Sequence, residues 1–221
     1  FDDSLKIIGF NNLDLNFLND SNKQNNISIK KNKKNYTVIG KSFDGSNLIN
    51  NILNSKSESN ISNVLSNFNS KITINISKFY IDNINFINKL NGEISFAKNK
   101  LFELFLRSNF PNEKKIILTI KANEINEIIT TLTTDNAEPL VERYKFVKGF
   151  EGGKLDFYSV KKNKISQSQI KIYNFKLNEL PALTKILTLA SLQGIADLLT
   201  GEGIRFNEFE MDFTSKDNHM T

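Results

Sequence analysis

The chain has 221 residues, enough to bury a sizeable core as one large β-rich domain or as two small ones. It contains no Cys and one His, His219, which excludes disulfides, thiolate metal sites and most imidazole chemistry. Lys and Arg number 29 against 24 Asp and Glu, a net charge of +5, but they are spread along the chain instead of forming the basic stripe with stacking aromatics that nucleic acid requires.

The first residues, FDDSLKIIGF, lack the basic start and long apolar run of a signal peptide. From there most of the chain alternates apolar and polar residues with a period of two, the pattern of half-buried strands. Leu5 to Phe10, Leu13 to Leu18, Asn26 to Lys31 and Tyr36 to Phe43 come first, with KKNKKN, Lys30 to Asn35, as a solvated hairpin end. Ser46 to Leu53 follows the candidate caps Asp44 and Ser46 and reads as a helix. Next, Ile72, Ile74 and Ile76 alternate with Thr73, Asn75 and Ser77. Gly92 to Ala97 and Leu101 to Asn109 follow, and Ile116, Leu118 and Ile120 share one parity. Asn123 to Leu132 sets Ile125, Ile128, Ile129 and Leu132 at helical spacing, and Ala137 to Tyr144 is another short helix. Leu155 and Phe157 flank Asp156 in a strand, Lys164 to Leu177 and Gly203 to Thr214 are long strands, and the tail DNHMT reads as frayed. Polar connections at Lys33-Lys34-Asn35, Asn91-Gly92, Lys98-Asn99 and Lys162-Asn163 read as tight turns, which join neighbours antiparallel. The expected fold is mainly β: a long, curved antiparallel meander forming an apolar groove, with a few short helices.

Several strands change phase. Ile72, Ile74 and Ile76 give way to Phe79 and Ile81, Ile170 and Ile172 to Phe175 and Leu177, and Ile204 and Phe206 to Phe209, Met211 and Phe213. A one-residue slip sends later side chains to the opposite face unless a bulge absorbs it. Bulges are therefore expected near Ser77-Lys78, Tyr173-Asn174 and Asn207-Glu208, with strong curvature of the sheet.

Near the end, residues 180–199 form an almost wholly apolar segment inserted between strands. Pro181 suits a first helical turn and Gly201 a position just past a helix end. Lys185, Gln193 and Asp197 make it a poor membrane span, leaving a core helix or a plug in an apolar trough. The run IKIYNFKLNELPALTKILTLASLQGIADLLTGEGIRFNEFEMDFT resembles the C-terminal signature of the AsmA-like proteins, particularly the YhdP type. The matching residues are Phe175, Pro181, Leu183, Leu187, Leu189, Ala190, Leu192, Gly194, Leu199, Gly201, Gly203, Ile204 and Phe206. YTVIGKSFDGSNLINNIL, Tyr36 to Leu53, is similar to another element of that family, as is GFEGGKLDF, Gly149 to Phe157. TTDNAEPLVERYKFV departs from the family's Asp-Ala-Gly form by carrying Glu138-Pro139.

The resemblance implies one segment, residues 1–221, of a longer β-groove protein. It also implies a periplasmic location, with an anchor in the inner membrane through an N-terminal helix outside this segment. Its implied function is that of a bridge-like conduit moving phospholipid between the inner and outer membranes of a Gram-negative envelope. Acyl chains would lie on the apolar sheet face, on Ile72, Ile74, Ile76, Phe102, Leu104, Leu106, Leu118, Ile120, Leu155, Phe157, Ile170 and Ile172. Leu183, Leu187, Ala190 and Ile195 of the apolar helix would close or line one end. The alternative is a structural or assembly-supporting envelope β-domain that never meets lipid.

Catalysis is not expected. Asp44, Asp135, Glu151 and Glu202 are scattered and suit caps and turns, and Ser42 and Ser46 have no His partner, since His219 sits in the polar tail. Gly201-Glu202-Gly203 ends a helix and opens a strand, the reverse of a phosphate loop, and Gly149 to Gly153 leads straight into a strand. Neither metal nor cofactor is expected.

Overall fold

The computed structural model describes residues 11–47, 69–97, 100–125, 127–144, 148–179, 203–216 and 219–220. The elements in chain order are β1 (Asn12–Leu18), β2 (Gln24–Asn32), β3 (Asn35–Asp44), β4 (Lys71–Tyr80), β5 (Phe86–Ala97), β6 (Lys100–Asn109), β7 (Lys115–Ala122), β8 (Ile128–Thr134), the helix α1 (Glu138–Tyr144), β9 (Phe150–Lys162), β10 (Ile165–Leu177), β11 (Ile204–Lys216) and β12 (His219–Met220). The protein is mainly β, and strands adjacent in sequence are adjacent in the sheet throughout. The chain divides into two compact units, Phe1–Glu113 with Ile117–Ile129, and Lys114–Ile116 with Thr130–Thr221.

The meander departs from its expected form at one step, because β3 and β4 run parallel. Two parallel neighbours need a connection of a dozen or more residues, and residues 45–70 separate them in the sequence. The helix expected from Ser46 to Leu53 begins at Ser46 and Asn47, and its remainder lies outside the described residues, as do Leu5 to Phe10, the Lys98-Asn99 turn and the apolar segment 180–199.

The helix expected over Asn123 to Leu132 is instead a turn and a strand. Asn123 Oδ1 accepts from the amides of Ile125 at 3.2 Å and Glu127 at 2.8 Å, which closes a turn out of β7. The β-branched run IITTLTT then makes β8. Stiff β-branched side chains suit a pleated surface better than a helix, and that preference overrides the helical spacing of the four apolar residues. The tail is not wholly frayed either, since His219 and Met220 pair with Lys216 and Ser215.

Asn91-Gly92 is not a turn but lies in the middle of β5, facing Asn75 and Ile74 on one side and Arg107 and Leu106 on the other. The real reversal is at Asp82, whose Oδ1 accepts from the amides of Ile84 at 2.8 Å and Asn85 at 2.7 Å. Gly92 is needed for close approach: a Cβ there would lie 1.9 Å from the Phe105 carbonyl oxygen and 2.9 Å from Leu106 Cα. Gly92→Ala gains about 0.4–1 kcal/mol by stiffening the unfolded chain but must push β6 backbone aside, an overpacking cost of about 1–3 kcal/mol. A net loss is expected, read as a lower urea midpoint; an unchanged or raised midpoint would show that β6 gives way freely.

At the three expected positions the named strands β4, β10 and β11 gain no residue themselves. In the second unit the ladder passes from Tyr173 opposite Lys154 and Glu208 directly to Phe175 opposite Gly152 and Phe206, skipping Gly153, Asn174 and Asn207 on three strands at once. Gly153 (φ 77) and Asn174 (φ 52) are left-handed there. The consequence shows in the core, where Phe150 with Leu155, and Ile172 with Phe175, share one buried cluster although odd spacings separate them. A regular strand would send such pairs to opposite faces. In the first unit the ladder likewise skips Ser77 and Lys89, and Lys89 is left-handed (φ 54). True register shifts lie on neighbouring strands, on β3 at Lys41 opposite Asn26 and Ile27 and on β5 between Asn88 and Asn91, both level with Ser77, and on β6 at Phe102.

Candidate apolar binding face

Directly opposed residues on neighbouring strands share a face, so register decides which apolar residues meet. In the first unit Leu13, Ile29, Val38, Ile74, Gly92 and Leu106 stand opposite one another in succession across β1 to β6. Two residues along, Leu15, Ile27, Gly40, Ile76 and Leu90 form a second row across β1 to β5. Tyr36, Ile72, Ile94 and Leu104 form a third across β3 to β6. The intervening rows are mostly polar: Asp14, Ser28, Asn75, Asn91 and Arg107 occupy one of them, interrupted by Ile39. Ile27, Ile76 and Leu90 are buried, whereas Ile29, Tyr36, Val38, Ile72, Ile74, Ile94, Leu104 and Leu106 are only half-buried. Half-buried aliphatic rows of this width are an apolar surface that still has contact area to offer.

Phe102 does not belong with Leu104 and Leu106. It is the extra residue where Ser95 opposite Glu103 gives way to Phe96 opposite Leu101, and it is 47% exposed. The bulge breaks the parity that its spacing from Leu104 implies. Leu118 and Ile120 are half-buried on β7.

In the second unit the rows are Phe150, Leu177 and Ile204, then Gly152, Phe175 and Phe206, then Leu155, Ile172 and Phe209, then Phe157, Ile170 and Met211. Here α1 packs on one end of the face. Ala137 and Val141 join Phe150, Leu155, Ile172, Phe175, Leu177 and Ile204 in a closed cluster. The helix is held by Glu138, whose Oε2 accepts from Gly152 N at 2.9 Å, and by Ala137 N, which donates to Gly153 O at 2.9 Å. Pro139 sits in its first turn, where the missing N–H costs nothing. Away from α1 the face opens, Phe209 being 43% and Met211 37% exposed. It ends at Ser159 and Ser168, where Ser168 Oγ donates to Ser159 Oγ at 2.8 Å.

The reverse face of this unit is charged. Lys171 Nζ lies 3.0 Å from Glu210 Oε1, and Gln169 Nε2 donates to Glu210 at 2.9 Å and Asp212 at 3.0 Å. The hydrogen bond that the Lys171 ammonium donates to Glu210 holds its pKa above the ordinary value. One apolar and one wet face is what an amphiphile-binding sheet requires, and it is equally the pattern of any two-layer domain.

Sequence spacing picked out Ile72, Ile74, Ile76, Leu104 and Leu106, and register brings these five together on one face. It picked out Leu155, Phe157, Ile170 and Ile172, which form two adjoining rows in the second unit. It passed over Leu13, Leu15, Ile27, Ile29, Val38, Leu90 and Ile94, whose alternation is as clear but whose parity relative to β4 only register supplies. Leu183, Leu187, Ala190 and Ile195 lie outside the described residues. Among the described residues no group of three or more His, Cys, Asp or Glu could hold a metal ion, and no helix is long and apolar enough to cross a membrane.

Compared with known proteins, the chain matches no family model, no curated protein and no solved structure.

Proposed function

We propose that the chain is a segment of a periplasmic lipid-transfer conduit of the AsmA-like kind, carrying phospholipid acyl chains on its apolar sheet face between the inner and outer membranes. The observation that supports this reading is the set of three apolar rows on β1 to β6, the first and third largely half-buried, backed by a largely polar face. Each acyl methylene that leaves water for such a surface contributes about 0.8 kcal/mol. The ten residues of β4 span roughly 33 Å, acyl-chain dimensions, at about 3.3 Å per residue. The role is passive: the protein shields the lipid and performs no chemistry on it. Phospholipid and the two membranes are the partners, reached through parts of the parent protein outside this segment.

Native mass spectrometry of the protein purified under mild conditions from a bacterial periplasm, with lipid extraction of the same sample, tests the reading. Bound phospholipid is expected, with at least tenfold lower occupancy in Ile74→Glu or Leu104→Glu, since a carboxylate in an acyl-lined row is left unsolvated. Both residues are half-buried, so circular dichroism of the variants should stay β-rich. A lipid-free mass from folded protein would favour the second reading, a structural or assembly-supporting envelope domain. The second unit favours that reading, because α1 closes one end of its apolar face with side chains.

A further inference from the structure

The KKNKKN stretch does more than end a hairpin in water. Lys33 and Lys34 are the two turn residues between Asn32 and Asn35, which face each other at the ends of β2 and β3, and Lys33 is held left-handed (φ 55). Asn35 Oδ1 accepts from Lys71 N at 3.1 Å, tying this turn to the start of β4, and Phe96 N donates to Ser70 O at 3.0 Å, tying β4 to β5. The three strand ends enclose a solvent-open recess of about 620 Å³ lined by Lys33, Lys34, Asn35, Lys71, Ser70 and Phe96, among others. Lys71 is engaged by Glu93 at 2.6 Å. Lys33 and Lys34 are exposed and have no carboxylate partner among the described residues.

The recess adjoins the apolar face directly. Lys34, Ser70 and Phe96 line it, and Tyr36, Ile72 and Ile94, two residues from each and so on the same side by strand alternation, form the third apolar row. A cationic hollow at the end of an aliphatic row matches a molecule whose phosphate is joined to acyl chains. Each Lys ammonium has three donors, and Asn and Ser side chains can donate to the remaining phosphate oxygens.

We propose that this recess binds a phosphate group, that of a phospholipid whose acyl chains lie on the adjoining rows. The lipid source rests on the conduit reading above; the phosphate site itself does not. The test uses the full chain. Phosphatidylglycerol and diacylglycerol carrying the same fluorescent acyl chain are titrated separately, and inorganic phosphate is titrated with the backbone amides of residues 33–35 and 71 followed by nuclear magnetic resonance.

The expected result is at least tenfold tighter binding of phosphatidylglycerol than of diacylglycerol, weakened by salt because the contacts are exposed. That preference should vanish in Lys33→Glu/Lys34→Glu while diacylglycerol binding is kept. Phosphate-induced shifts at these amides with no lipid bound would uphold the site for free phosphate and remove the conduit reading. Equal affinity for the two lipids in the wild-type chain, with no phosphate-induced shifts, would overturn the recess and leave the acyl face standing. Lys33 and Lys34 are exposed turn residues, so an unchanged circular dichroism spectrum is expected of the variant.

Discussion

Phe175→Ala should cost the protein about 3–5 kcal/mol, the range for removing a large aromatic side chain from a packed core. The ring stacks between Phe150 and Phe206, with centroids 5.1 Å away on either side and interplanar angles of 16° and 9°. Phe175 is 7% exposed, and its neighbours Ile172, Leu177 and Val141 are buried with it. Gly153 cannot fill the hole, since it has no side chain and is fixed at φ 77 by the skipped ladder pair. Urea unfolding followed by circular dichroism should show the midpoint falling by about 1–3 M at an ordinary slope. Phe175→Leu keeps most of the burial and loses the ring contacts, so a smaller loss of about 1–2 kcal/mol is expected. An alanine variant within about 1 kcal/mol of the wild type would mean that the stack is not the core of this unit.

Lys23→Met should be of similar size, about 3–5 kcal/mol, for a different reason. The Lys23 and Asp44 side chains are 9% and 6% exposed, with Nζ 3.3 Å from Oδ2. Lys23 Nζ also donates to Asp82 O at 2.8 Å and lies 4.7 Å from the centre of the Tyr80 ring. Asp44 receives hydrogen bonds from Asn19 Nδ2 at 2.7 Å and Ser46 N at 3.0 Å, and its own amide donates to Asn25 Oδ1 at 2.8 Å. The loop before β2, the end of β3 and the turn before β5 are thereby knotted together. Removing the lysine leaves a buried carboxylate without its cation. Lys23→Met combined with Asp44→Asn removes both charges and should recover most of the loss.

The same knot predicts an acid limb. Burial by itself pushes the Asp44 carboxyl up, but hydrogen bonds from Ser46, Asn19 and Lys23 outweigh it and hold the pKa below its ordinary value of 3.8. The folded pKa lies below the unfolded one, so this contribution is fully present above the unfolded value and is lost as pH falls through the folded pKa. Stability of the wild type measured downward from pH 5 should therefore drop more steeply than that of Asp44→Asn. Parallel acid limbs for the two proteins would show that Asp44 is not held ionised by the fold.

The β-rich class was legible because period-two alternation survives in nearly every strand, from Asn12–Leu18 to Ile204–Lys216. The positions of the phase changes were legible too, but not their form. A bulge on one strand and a skipped pair across three strands leave the same mark on any single strand, an odd step between apolar residues. Only the skipping of Gly153, Asn174 and Asn207 at one level distinguishes them. Asn91-Gly92 and Asn123 to Leu132 misled for a shared reason: a dipeptide or a spacing is weighed against local conformations, whereas here pairing with β4 and β6 on either side and a β-branched run decided the outcome. The candidate face was legible strand by strand and not as a surface. Ile74 and Leu106 each announce an apolar side, and nothing local says that Gly92 stands between them.

By itself the sequence determined that this is a sheet protein with one apolar and one polar side, since alternation is a property of each residue and its two neighbours. It also excluded disulfide and thiolate chemistry through composition alone. The tertiary structure decided the parallel step between β3 and β4, the rows that align Leu13 with Leu106 across six strands, the closure of the second unit by α1, and the meeting of Lys33, Lys34 and Lys71 around one recess. Each of these depends on the register between segments distant in the chain. Register is set by which pairing buries the most apolar surface with every backbone amide satisfied, a sum over many strands that no single stretch of residues contains.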